Sequence, residues 1–183
     1  MRQEIILSGA GGQGLILAGT ILAEAAGVLE GKEVVQTQSY GIQARGGASQ
    51  ATVIISDHPI NFPEALTPDL LLCLSQEAYE RYMPRLRVGG LLIVDEDLVK
   101  TENLRADITL LAFPFTAEAE KMNQRIAANM VALGALARVS GTVRAESLAH
   151  AIPSRLPERH VPLALMALDA GGQLAEDAKG SVT

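Results

Sequence analysis

Six residues near the start of the chain have the spacing of a phosphate-binding turn. The segment Gly9-Ala10-Gly11-Gly12-Gln13-Gly14 follows the short apolar run 5–7 and precedes the alanine- and leucine-rich segment 15–28. A strand, a glycine turn and a helix in this order present backbone N–H groups and a helix N-terminus to an anion. We therefore predict that a phosphate-bearing cofactor is bound by Gly9, Gly11, Gly12, Gln13 and Gly14. The alternative is that these glycines only allow close packing of the helix on the sheet.

A second glycine-rich segment follows at residues 39–47, between two predicted strands. Its candidate binding residues are Ser39, Tyr40, Arg45, Gly46 and Gly47. The planar guanidinium of Arg45 suits phosphate or carboxylate, although a loop arginine can equally bind backbone carbonyls or only water. In a doubly wound sheet this segment leaves the same carboxyl edge as the first, so we predict that both converge on one crevice.

Strands and helices alternate along the chain, which predicts an α/β fold with a doubly wound, mostly parallel, Rossmann-like sheet and C-terminal helices. Strands are predicted at 3–8, 33–38, 49–56, 69–74, 91–95 and 108–113, and helices at 15–29 and 76–86. We further expect one long helix from a Thr116 cap to Val139, then two shorter helices separated by Pro153 and Pro157. Gly171-Gly172 and the polar segment after Leu174 are expected to fray. Residues 1–175 are predicted to form a single domain, with 176–183 as a flexible tail.

Composition excludes several classes of protein. The chain has 183 residues, 48% of them hydrophobic, which is typical of a globular domain. Its formal charge of −6 provides no basic face for nucleic acid or for an anionic membrane surface. The single cysteine, Cys73, rules out an internal disulfide and an iron–sulfur cluster held by this chain alone. A single cysteine suits a protein of the reducing cytoplasm. No apolar run approaches the ~20 residues of a membrane helix.

The residues expected of a nicotinamide dinucleotide site are missing. Such sites carry an acid at the end of the second strand, where it binds the ribose hydroxyls. Here that strand ends in Gln38 and Ser39, and Glu33 lies at its opposite end. A free-standing nucleotide-binding module and a purely architectural subunit nevertheless remain alternative interpretations.

No residue is predicted to be catalytic or to ligate a metal. Cys73 lies within an apolar run and is read as a small buried side chain, and the three histidines, at positions 58, 150 and 160, lack metal-ligand spacing. Asp95 and Asp97 end a strand at the ligand edge, where they either bind a ligand or cap a turn or helix. Asn123 and Asn129 are six residues apart and are read as separate packing or interface residues.

Three segments together resemble one family over nearly the whole chain. They are Gly9-Ala10-Gly11-Gly12-Gln13-Gly14, the second segment with its Gln38-Ser39-Tyr40-Gly41 and Ala44-Arg45-Gly46-Gly47-Ala48 stretches, and Asn129-Met130-Val131-Ala132-Leu133-Gly134-Ala135-Leu136. They resemble the gamma subunit of 2-oxoacid:ferredoxin oxidoreductases of the 2-oxoglutarate type, in the pyruvate/ketoacid ferredoxin oxidoreductase catalytic-domain family.

The resemblance implies a subunit that is inactive alone. Its complex would oxidatively decarboxylate a 2-oxoacid, 2-oxoglutarate in this type, to an acyl-CoA and pass electrons to ferredoxin. Coenzyme A is the implied co-substrate, bound near this chain. Thiamine diphosphate and iron–sulfur clusters would be held by partners, namely alpha, beta and ferredoxin-type subunits.

The chain departs from the family pattern at two places. Ile42-Gln43 stands where the family often has Pro-Glu, and Ala164 stands where it tends to have asparagine. The first departure leaves the choice of 2-oxoacid open. The indolepyruvate oxidoreductase beta subunit is the alternative, although it tends to have His-Gly where this chain has Tyr40-Gly41.

Overall fold

The computed structural model describes residues 1–39, 48–102, 104–124 and 127–180, and for residues 179 and 180 it describes the backbone only. Six strands are described: β1 Arg2–Ala10, β2 Glu33–Ser39, β3 Ala48–Ser56, β4 Leu70–Cys73, β5 Leu91–Asp95 and β6 Thr109–Phe113. The α-helices are α1 Leu15–Glu24, α2 Gln76–Tyr82, α3 Phe115–Lys121, α4 Ala128–Ser140, α5 Ala145–Arg155 and α6 Val161–Gly180. A π-helical turn, Ala25–Leu29, extends α1, and 3₁₀ turns lie at Met83–Arg85 and Glu158–His160.

The strands form one sheet in the order β2-β3-β1-β4-β5-β6. Strands β1, β4, β5 and β6 are parallel, whereas β3 is antiparallel to both of its neighbours, β1 and β2. A parallel crossover needs roughly a dozen residues. Residues 40–47 are too few for one, so β2 and β3 form an antiparallel pair. The predicted α/β fold with a mostly parallel sheet is confirmed, with one strand reversed.

Helices cover both faces of the sheet. One face carries the larger apolar cluster, built from α1 and the C-terminal helices, and α2 covers the other face with a smaller cluster. Ile5, Ile6 and Leu7 are fully buried because consecutive residues of β1 point to opposite, covered faces. Within the described ranges, none of the helices combines the length and the hydropathy needed to cross a bilayer.

The predicted long helix from Thr116 to Val139 is wrong. Helix α3 ends at Lys121, Asn123 has a φ of 55°, and α4 begins at Ala128. A left-handed residue cannot continue a right-handed helix, so the chain changes direction there. Thr116 is also not the cap, because Pro114 occupies the N-cap position of α3.

The prediction for the C-terminal segment also needs correction. Pro153 lies inside α5 and does not separate two helices, and α6 is the longer of the two, with 20 residues. Gly171 and Gly172 lie inside α6, which continues through Gly180. A Cβ at Gly171 would overlap the carbonyl oxygen of Val131, so α6 lies against the backbone of α4. The two glycines predicted fraying, but this segment is helical because it packs against α4.

Candidate functional site

Both glycine segments leave the sheet at one edge. Ala10, at the end of β1, is opposite Ala48, the first residue of β3. Ser39, at the end of β2, is opposite Gln50. Adjacent strands are ~4.8 Å apart and β3 lies between β1 and β2, so the two segments start ~10 Å apart at the carboxyl ends of β1 and β2. This shared edge is the candidate site.

The second segment lies almost entirely outside the described residues. Of its predicted binding residues only Ser39 is described, and it is exposed at the end of β2. The contributions of Tyr40, Arg45, Gly46 and Gly47 therefore stay predictions.

The first segment forms a turn that needs glycine at two positions. Gly12 has a φ of 89° and Gly14 a φ of 76°, in the region that side chains with a Cβ rarely adopt. Gly11 and Gly12 are exposed, and a Cβ at Gly12 would contact nothing within 4 Å. Conformation alone, and not crowding, therefore requires glycine at position 12.

The start of α1 is open to a ligand. Gly14 is its N-cap, and no side chain of the described residues caps the helix. The first N–H groups of a helix have no partner within it, and they carry its partial positive charge. In front of them lie Gly11 and Gly12, both exposed. The turn therefore leaves the first N–H groups of α1 without a side-chain cap, and the predicted binding of a phosphate group there stays a prediction.

Gln13 braces the turn with both ends of its amide. Its Oε1 accepts a hydrogen bond from the Ala10 backbone N–H at 2.6 Å, and its Nε2 donates to the Leu74 carbonyl at 2.9 Å. A Cβ at Gly9 would overlap this Oε1, which explains the glycine there. The side chain of Gln13 thus joins the ends of β1 and β4, and its predicted contact with a cofactor stays a prediction.

Asn129, in the first turn of α4, supports the same turn from the other side. Its Nδ2 donates to the Gly14 carbonyl oxygen at 3.1 Å, and only 5% of the residue is exposed. A Cβ at Gly14 would overlap this Nδ2, so Gly14 is required for space as well as for its φ. The sequence indicated that Asn129 is a packing or interface residue, and no local signal links two residues so far apart in the chain.

Asp95 proves to be a capping residue. It is fully buried, and its Oδ2 accepts hydrogen bonds from the Thr116 backbone N–H at 3.0 Å and from the Thr116 hydroxyl at 2.6 Å. Its Oδ1 accepts from the Asp97 backbone N–H at 3.0 Å. Of the two interpretations of this carboxylate, the structure supports the cap, which fixes the start of α3.

The thiol and the three imidazole side chains differ in burial. Cys73 is fully buried, and burial raises the pKa of its thiol well above the ordinary range. All three histidines are exposed. Among the described residues, no group of three His, Cys, Asp or Glu side chains could hold a metal ion.

Comparison with known families identifies the family to which the chain belongs. The sequence profile of the pyruvate ferredoxin/flavodoxin oxidoreductase family matches residues 4–174, from β1 into α6 and across both glycine segments. The chain belongs to this family. The resemblance to a gamma subunit of this family of oxidoreductases is confirmed by the solved structure of a gamma subunit, described below.

Several relatives of this family align with nearly the whole chain. The 2-oxoglutarate synthase subunit KorC of Methanocaldococcus jannaschii is 49% identical over 97% of this chain and 96% of its own. KorC of Methanothermobacter marburgensis is 43% identical over 95% and 97%. The crystal structure of a keto/oxoacid ferredoxin oxidoreductase gamma subunit from Geobacter sulfurreducens has a TM-score of 0.87 at 45% identity, covering 97% of this chain and 98% of that one.

A more distant structure shares the fold. The 2-oxoglutarate:ferredoxin oxidoreductase of Magnetococcus marinus, solved with 2-oxoglutarate, coenzyme A and succinyl-CoA bound, has a TM-score of 0.88 at 24% identity. The match covers 96% of this chain and 31% of that one.

Proposed function

We propose that the chain is the gamma subunit of a 2-oxoacid:ferredoxin oxidoreductase complex acting on 2-oxoglutarate. The complex would oxidatively decarboxylate the 2-oxoacid to an acyl-CoA and pass the electrons to ferredoxin. The observation that carries this proposal is the 49% identity with a KorC subunit along 97% of the chain. A ketoisovalerate oxidoreductase subunit, VorA, is 29% identical over 95% of the chain, which makes the 2-oxoglutarate type the better supported substrate class.

Within the complex, this chain would bind coenzyme A at the shared sheet edge. Its pyrophosphate suits the exposed turn at Gly11 and Gly12 and the uncapped N-terminus of α1. Ser39, Tyr40, Arg45, Gly46 and Gly47 would complete the crevice from the second segment. The distant relative from Magnetococcus marinus was solved with coenzyme A, which supports this choice of ligand.

Other chains must complete the reaction. A single cysteine cannot hold an iron–sulfur cluster. We therefore assign the clusters and thiamine diphosphate to alpha, beta and ferredoxin-type partner subunits, and expect this chain to be inactive alone. Thiamine diphosphate supplies the stabilisation of negative charge that decarboxylation requires. This chain would position coenzyme A and exclude water, and the reducing cytoplasm is its proposed location.

The topology counts against the alternative of a free-standing dinucleotide module. In such modules the second strand lies beside the first and ends near the bound ribose. Here β3 lies between β1 and β2, so the end of β2 is ~10 Å from that of β1. That end also carries Ser39 in place of an acid.

Reconstitution of the complex tests the proposal. The complex purified with this chain should reduce a ferredoxin or a viologen dye when given 2-oxoglutarate and coenzyme A, and should do so faster than with pyruvate or ketoisovalerate. The complex without the chain should lose the coenzyme A-dependent turnover. Equal turnover without the chain would contradict the proposal.

A matched pair of glycine variants tests the site. Gly12→Ala should raise the KM for coenzyme A about tenfold, because alanine is strained at a φ of 89° and the turn must change shape. Gly31→Ala is the control, since Gly31 has a φ of 67° and also has free space around its Cβ position, but lies between α1 and β2. It should lose similar stability and leave the KM unchanged. An equal KM for coenzyme A in both variants would show that the turn does not bind coenzyme A.

A further inference from the structure

Strand β2 is an edge of the sheet, and no strand lies on its outer side in the described part of the chain. Its seven residues, Glu33–Ser39, pair with β3 on the inner side only. Every second residue of such a strand points its backbone N–H and C=O outward, where another strand can bind them. β2 therefore presents a row of unpaired backbone groups ~23 Å long.

This edge lacks the features by which proteins keep a free strand from pairing. Such features are short length, proline, lysine and other charged side chains. Residues 34–39 contain none of them, and Glu33, at the start, is the single charged residue of the strand. The opposite edge, β6, has only five residues and is bounded by the Arg105–Asp107 ion pair and by Pro114. Of the two edges of the sheet, β2 is therefore the one suited to pairing.

The side chain of Gln36, at the centre of β2, lacks a contact that a neighbouring strand could supply. Gln36 is half-buried, and its Nε2 atom is buried without a hydrogen-bond partner among the described residues. A buried donor that is left without an acceptor costs ~1–3 kcal/mol. A neighbouring strand with a side-chain carbonyl at this position would remove that cost.

Apolar surface accompanies the edge. The π-helical turn at the end of α1 lies against β2, since a Cβ at Gly27 would be 3.4 Å from Cγ2 of Val34. In the same turn Val28 is 76% exposed and Leu29 is 42% exposed. Burial of these two side chains would add to the backbone hydrogen bonds of a strand bound at this edge.

The sequence of β2 is complementary to itself. In an antiparallel pair of two β2 strands, only the register with Gln36 opposite the same residue of the copy pairs all seven residues. In that register Glu33 lies opposite Ser39, so the like charges of the two copies do not meet. Val35 lies opposite Thr37, and both are β-branched residues that favour strands. The two Gln36 amides face each other, so each Nε2 can donate to the Oε1 of the copy.

We propose that two copies of this chain associate through their β2 strands, which pair antiparallel about a two-fold axis at Gln36. The two six-stranded sheets then form one continuous sheet. The dimer is closed, because the same edge is used on both copies and neither β2 edge remains free. This association goes beyond the proposed function, since Gln36 lies in the middle of β2 and belongs to neither glycine segment.

The mass of the unmodified chain provides the first test. Analytical ultracentrifugation over a series of concentrations should give twice the mass of one chain, and the mass should fall toward that of one chain on dilution. The mass of one chain at every concentration would overturn the proposal.

Cysteine variants test the register. Opposite residues of an antiparallel pair have Cα atoms ~4.5–5.5 Å apart, which a disulfide can span. With oxidised glutathione, Gln36→Cys should therefore form a linked dimer about tenfold faster than Glu33→Cys, whose two copies would lie ~20 Å apart along the strands. The native Cys73 is fully buried and does not compete. Non-reducing gels measure the two rates, and equal rates would overturn the proposal.

Variants of opposite charge at the axis provide a third test. Gln36→Lys and Gln36→Glu should each give a monomer, because like charges directly opposite one another destabilise a strand pair. An equimolar mixture of the two should recover the dimer. A mixture that stays monomeric, while circular dichroism shows both variants folded, would overturn the proposal. If either variant does not fold, the mass of the unmodified chain decides the matter.

The purified complex distinguishes a second copy of the chain from another subunit at this edge. Gln36→Cys in the complex should link two copies of this chain. A link to a different subunit, or no link, would show that another subunit covers β2 and would overturn the proposal. The proposed function is judged by the turnover of the unmodified complex, and the pairing of β2 by mass and linkage, so failure of one is distinguishable from failure of the other.

Discussion

Two neighbouring glycines in α6 should respond oppositely to the same substitution. A Cβ at Gly171 would overlap the Val131 carbonyl oxygen of α4, whereas a Cβ at Gly172 would contact nothing within 4 Å. Alanine is favoured over glycine inside a helix by about 1 kcal/mol, so Gly172→Ala should stabilise the fold by about that amount. At Gly171 the same gain opposes an overlap with backbone that cannot rotate away. Taking ~3 kcal/mol for such overpacking gives a net loss of about 2 kcal/mol.

These free energies convert into measurable shifts of the melting temperature. For a chain of this size, 1 kcal/mol corresponds to roughly 2–4 °C. Gly172→Ala should therefore raise Tm by ~2–4 °C, and Gly171→Ala should lower it by ~4–8 °C. Circular dichroism at 222 nm measures Tm, and urea titration measures the free energy of unfolding. If both variants raise Tm, the backbones of α4 and α6 are not in contact at Gly171. The reciprocal variant Gly134→Ala should also destabilise, because its Cβ would overlap the Leu168 carbonyl oxygen.

Three further outcomes follow from the described contacts. Gln13→Ala removes the hydrogen bonds to the Ala10 N–H and the Leu74 carbonyl. It should lower the free energy of unfolding, measured by urea titration, by ~1–3 kcal/mol and raise the KM for coenzyme A. Unchanged stability would show that these two hydrogen bonds do not support the turn. Lys32 and the N-terminal ammonium lower the pKa of Asp57 to about 2. This carboxylate therefore stabilises the fold above pH ~4 and loses that effect as the pH falls toward 2. Asp57→Asn should flatten the pH dependence of the free energy of unfolding in that window only. Cys73 should resist a thiol reagent at pH 8 in the folded chain and react in urea, because burial raises its pKa and blocks access; rapid reaction of the folded chain would contradict its burial.

Local features of the chain were predictable because they depend on neighbours in sequence. The order of apolar run, glycine turn and helix predicted β1, the turn and α1, and the φ values of Gly12 and Gly14 bear out the need for glycine. The edge shared by the two glycine segments followed from topology rules alone. Ser75 caps α2 by accepting a hydrogen bond from the Ala78 N–H at 3.3 Å, a role that serine favours at the start of a helix.

Contacts between distant residues decided what those patterns could not. The sequence itself determined the strands, helix α1 and the position of the glycine turn, because periodicity, capping and positive φ act over a few residues. The tertiary structure decided that Asn129 supports Gly14, that Asp95 binds the start of α3, and that α6 continues through Gly171. Each of these depends on which surfaces become buried together. That choice is made by packing across the whole chain, which local propensity does not record.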